Sequence, residues 1–76
     1  MKLQNHKTNI AFVTRTTKHR ENFVSIVERW ETDAAGVPIK AHTSSREMHN
    51  SRSKAYAYAC SMARYQFAAH CAIYGA

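Results

Sequence analysis

Five histidines (His6, His19, His42, His49 and His70) and two cysteines (Cys60 and Cys71) are the side chains best suited to ligate a metal or act as nucleophiles. A structural zinc site needs about four converging nitrogen or sulfur ligands. No Cys-x2-Cys, His-x3-His or His-Glu-x-x-His spacing occurs, and neighbours His70 and Cys71 point to different sides of a helix. No metal or other cofactor is therefore expected. The five acidic residues form no pair suggestive of shared proton chemistry. With only two glycines, the chain has neither a Gly-x-Ser-x-Gly elbow nor a Gly-rich phosphate loop. An enzyme is not expected. Cys60 and Cys71 fall in one helical stretch, eleven residues apart, which separates their Cα atoms by roughly 16 Å. A disulfide requires about 7 Å or less, so both thiols are expected free, which suits a reducing, cytoplasmic setting.

What remains is positive charge. Eleven Lys and Arg stand against five Asp and Glu, a formal net charge of +6. Such a surplus speeds encounters with nucleic acid, anionic membranes or acidic proteins. No apolar run approaches the about 18 residues of a spanning helix. No secretory apolar region follows Met1-Lys2, because Leu3 gives way to Gln4, Asn5, His6 and Lys7. A membrane partner is not expected.

The elements that position these cations are readable from periodicity. At 76 residues the chain is one domain. Residues 1–7 read as a polar lead-in. From Thr8 to Thr17, Ile10, Phe12 and Thr14 alternate with Ala11, Val13 and Arg15, which is the period of a strand. Lys18-His19-Arg20-Glu21 forms a charged tip. A second strand spans Asn22 to Thr32, with Val24, Ile26 and Trp30 on one face and Phe23, Ser25, Val27 and Arg29 on the other. Asp33-Ala34-Ala35-Gly36 is a turn, and a third strand begins at Pro38, giving a meander over 8–44. From Ser45 to Tyr74 there is no glycine or proline and alanine is dense, which favours helix. Ser44 to Glu47 has the Ser-x-x-Glu form of a capping box, and Asn50 or Ser51 offers a later start. Tyr56, Cys60, Ala63, Phe67, Cys71 and Tyr74 make an apolar stripe widened by Ala59, Met62 and Ile73. The expected fold is α+β: a three-stranded antiparallel meander covered on one face by a long C-terminal amphipathic helix over 45–74. Phe12, Trp30, Tyr56 and Phe67 are its expected aromatic core.

In a meander, the first hairpin tip and the start of the final helix lie at the same end. Arg15, Lys18, His19 and Arg20 would there face Arg46, His49, Arg52 and Lys54. Cations at a helix N-terminus oppose the macrodipole, at about 0.3–1 kcal/mol each when exposed. An anion would relieve that repulsion, because the N-terminal N–H groups and the cations both favour it. The expected partner is therefore a nucleic-acid duplex backbone, or an acidic protein surface. Tyr58 and Tyr65 border the apolar stripe, and Phe23 is expected on the uncovered sheet face; these three are candidates for contact with a protein. The uncovered face and the edge strands also suit a homodimer.

From His19 onward the sequence resembles the β-β-β-α part of a double-stranded RNA-binding domain. The matching residues are His19 in the first hairpin loop, the middle strand Phe23-Val24-Ser25-Ile26-Val27 and Gly36 in the turn. The helix start Ser51-Arg52-Ser53-Lys54-Ala55 follows, with Ala59 and Cys60 beyond it. The resemblance implies a minor-groove contact for His19 and phosphate contacts for Arg52 and Lys54. Thr17-Lys18 replaces the family's Gly-Pro, and residues 1–9 cannot supply its first helix. In size and style the chain also resembles small phage accessory proteins, anti-CRISPR inhibitors among them, which would imply a host protein or ribonucleoprotein as partner.

Overall fold

The computed structural model describes residues 1–76. Four strands, β1 (Lys2–Asn5), β2 (Ile10–His19), β3 (Asn22–Thr32) and β4 (Pro38–His49), precede one helix, α1 (Arg52–Tyr74). The strands form a single antiparallel sheet in the order β1-β2-β3-β4. The fold is α+β, with the helix packed on one sheet face. No helix is long and apolar enough to cross a membrane.

The expected polar lead-in is instead a fourth strand. Lys2, Leu3, Gln4 and Asn5 pair with Val13, Phe12, Ala11 and Ile10. Leu3 packs against the core of Ile10, Phe12, Val27 and Ala63. The turn out of β1 is built by Asn5, whose Oδ1 accepts from the Lys7 and Thr8 amides at 2.9 and 3.0 Å. Asn9 then adopts a left-handed φ of 56°, which asparagine tolerates better than most residues. Asn5 is 2% exposed, and its Nδ2 donates to the Gly75 carbonyl at 2.7 Å and to Cys71 Sγ at 3.4 Å. One buried amide thus ties the first strand to the end of the last helix.

The helix begins later than position 45. Ser45, Arg46, Glu47, Met48 and His49 stay in β4, aligned with Val27, Ile26, Ser25, Val24 and Phe23. Eleven-residue β3 offers pairing along its whole length, and that outweighs the local helix signal. The residues of the apparent capping box act elsewhere. Ser44 Oγ lies 3.1 Å from the Val27 carbonyl and 2.6 Å from Gln66 Oε1, and Glu47 stays in β4, aligned with Ser25. The cap is Ser51, in extended backbone (φ −142°, ψ 150°), with Oγ accepting from the Lys54 amide at 3.2 Å. Gly75, at φ 89°, ends the helix by donating to the Cys71 carbonyl.

The covered face differs from the expected one. Phe12 is aligned with Arg29 and Thr14 with Val27, so the face bearing Ile10 and Phe12 also bears Phe23, Ser25 and Val27. Phe12, Val27 and Ala63 pack together with Met62 and Phe67. Val24, Ile26 and Trp30 therefore occupy the open face, and Phe23 the covered one. Val24 and Ile26 are still 2% and 7% exposed. Their cross-strand neighbours shield them: Thr17 and Met48 flank Val24, and Arg15 and Arg46 flank Ile26.

The buried side of α1 is made mostly of small residues, Ala55, Ala59, Cys60 and Ala63, with His70 near its end. Tyr56, Ile73 and Tyr74, expected on the apolar stripe, are exposed. Alanines allow the helix backbone to approach the sheet closely, and of the larger side chains Met62 and Phe67 pack against the core. Both cysteines are free.

Candidate binding surface at the hairpin tip and helix start

The first hairpin closes at His19 opposite Asn22, so its turn is only Arg20-Glu21. Arg20 has φ 57°, a left-handed conformation in which side chains other than glycine are disfavoured by about 1–2 kcal/mol. Directly behind the tip, Lys18, Phe23 and His49 form one row across β2, β3 and β4 on the covered face. Arg52, in the first turn of α1, lies over the Phe23 ring with its guanidinium carbon 5.0 Å from the centroid. Lys54 is exposed on the same turn, which contains no acidic residue.

The expected pole is therefore assembled, with a division between two faces. Lys18, His49, Arg52 and Lys54 belong to the covered side. His19 belongs to the open side, as do Arg15 and Arg46, which share a row with Ile26 between them and lie further from the tip. Arg20 stands at the turn itself. Among these cations Arg15 alone is ion-paired, to Glu28 at 3.4 Å. The same Glu28 carboxylate accepts from the Trp30 indole N–H at 3.2 Å.

Two aromatic residues expected to meet a protein partner are engaged within the chain. Phe23 is half-buried beneath Arg52. The Tyr58 ring packs on His49 with centroids 5.0 Å apart. The nearby Glu47 carboxylate, with a smaller contribution from burial, holds the phenol pKa above its ordinary value of 10.0. Tyr65, by contrast, is 71% exposed.

The Tyr58–Glu47–His49 group was not legible as a unit, because Glu47 reads as helix until β4 is known to reach His49. At the other end of the molecule, His70 Nε2 lies 2.7 Å from Thr8 Oγ1, and its ring packs on Phe12 and Tyr74. Burial lowers the His70 pKa, and the nearby Arg29 charge lowers it further. No three His, Cys, Asp or Glu side chains converge as metal ligands would. Comparisons with protein-family models, curated proteins and solved structures find no match.

Proposed function

We propose that this protein is a binding module for nucleic-acid backbone, preferring a duplex by its shape, and that the tip and helix start are its contact surface. The reading is carried by one observation: Lys18, Arg20, Arg52 and Lys54 stand at one end with no carboxylate partner. Phosphates would supply the missing anions and complement the helix macrodipole. Arg52 gains a fixed position from Phe23, so less side-chain freedom is lost when it meets a phosphate. Arg20 points the same way, because backbone strain at an exposed tip cation is consistent with a functional demand. Arg15 and Arg46 would extend the contact along the open face. The side chains at this end match no pattern of base readout, so recognition is by backbone and groove shape.

Fluorescence anisotropy with duplex RNA, duplex DNA and single strands at two salt concentrations tests the proposal. Binding that survives physiological salt and favours one duplex supports it. Loss of all binding at that salt overturns it. A second reading, an inhibitor or adaptor directed at a protein, is favoured by the exposure of Tyr65. In that case Tyr65→Ala abolishes function while Arg52→Ala with Lys54→Ala does not.

A further inference from the structure

β4 is an edge of the sheet with no strand on its outer side. It is also the longest strand, and ten of its twelve residues are exposed. A long free edge is a template for another strand. We propose that two copies of this chain pair antiparallel along β4 about a two-fold axis, forming one continuous eight-stranded sheet.

The register follows from the charges and from the irregularity within β4. In an uninterrupted strand, residues seven apart lie on opposite faces. Lys40 and Glu47 do not. Lys40 is aligned with Glu31 and Glu47 with Ser25, and Glu31 and Ser25, six apart in β3, share the covered face. The shift between Val27 and Glu28, which leaves Ser44 as the extra residue, brings Lys40 and Glu47 onto that same face. It likewise brings Ala41 and Arg46, aligned with Trp30 and Ile26, onto the open face.

A two-fold pairing that sets one residue against another repeats the contact in reverse. Lys40 against Glu47 of the second copy therefore gives two opposite-charge pairs. The same register sets Ile39 against Met48, Ala41 against Arg46 and His42 against Ser45, with Thr43 at the axis. Ile39 and Met48 are 73% and 49% exposed in the single chain, and here they become an apolar pair at each end. No like charges are opposed. Moving the register by two residues sets Lys40 against His49 or Ser45 and separates Ile39 from Met48. The two basic poles fall at opposite ends of the resulting sheet.

Edge pairing buries little area, which places the dimer in the weak class of interfaces. Sedimentation equilibrium of the full chain is expected to show a mass rising from 8.7 kDa toward twice that value, with a dissociation constant on the order of ten micromolar. Lys40→Glu and Glu47→Lys each oppose like charges at two places, so each should weaken the dimer by about tenfold or more. The double charge swap should restore it. Thr43→Cys, an exposed change at the axis, should form a covalent dimer under mild oxidation. This measurement stands even where Glu47→Lys fails to fold. A mass of 8.7 kDa persisting at about millimolar concentration, single variants that dimerise like the parent, or no Thr43→Cys crosslink would overturn the proposal.

Discussion

Arg52 in the first turn of α1 lies over the ring of Phe23 in β3, 5.0 Å from its centroid. The contact joins helix start to sheet and fixes the direction of a cation at the basic end. Phe23→Leu retains apolar bulk but removes the π face, and should cost about 0.5–1 kcal/mol of stability. It should also weaken nucleic-acid binding more than an Arg64→Ala control on the exposed helix side. Urea unfolding and anisotropy on the same samples check the two effects.

Arg20→Gly separates function from stability. Glycine takes a positive φ without strain, and the arginine at φ 57° does not. The variant should be as stable as the parent or more so, by up to about 1 kcal/mol, yet bind duplex more weakly. Thermal unfolding beside anisotropy shows whether the two properties move in opposite directions.

The helix start is set by Ser51, and Ser44 has no share in the cap. Ser51→Ala should cost about 1 kcal/mol, equivalent to roughly 4–8 °C in Tm for a domain of this size. A calorimetric scan showing no change would place the cap elsewhere.

Much of this organisation is legible in the sequence. The alternation of Ile10, Phe12 and Thr14, the Asp33–Gly36 turn and the alanine-rich stretch each reveal their element, although β2 runs later than the expected Thr8 to Thr17 and the helix starts at Arg52 rather than at position 45. Because hairpin connections are short, they also bring Lys18 and Arg20 to the same end as Arg52 and Lys54. What escapes is non-local. Four residues, Lys2–Asn5, are too few to show a period, and they become a strand because β2 offers an edge. Ser44–Glu47 fits a capping box by spelling, but β3 is long enough to hold it as strand. The covered face of β3 is ambiguous because both faces are apolar, Val24 and Ile26 against Phe23 and Val27. Only the alignment of Val27 with Thr14, and its packing against Phe12 and Ala63, decides it. The division of the cations between two faces follows from that choice.

At the far end, Asn5 should prove one of the most sensitive polar positions. Asn5→Ala leaves the Lys7 and Thr8 amides and the Gly75 carbonyl without their partner, at a cost of roughly 2–3 kcal/mol. Hydrogen exchange should show faster opening at both the β1–β2 turn and the last turn of α1. Faster exchange in the turn alone would mean that the amide does not couple them.

His70 makes stability depend on pH. Its folded-state pKa lies below the ordinary 6.5 because the ring is buried. The unfolded chain therefore takes up a proton first as the pH falls. The stabilisation is complete above about pH 6.5 and is lost as the pH drops through the lowered folded value. His70→Gln, able to keep a hydrogen bond to Thr8, should flatten this part of the profile. Parallel curves for the two proteins between pH 7.5 and 5, an interval set by the reference value of about 6.5, would show that His70 is not the group responsible.

The most direct test of the central claim is the salt dependence of duplex binding for the parent and for Arg52→Ala with Lys54→Ala. If both residues contact phosphates, the slope of log affinity against log salt should fall by about two, roughly one for each lost contact. Affinity should drop for every duplex alike. An unchanged slope and affinity in a folded double variant would contradict the assignment of this end of the molecule to nucleic acid.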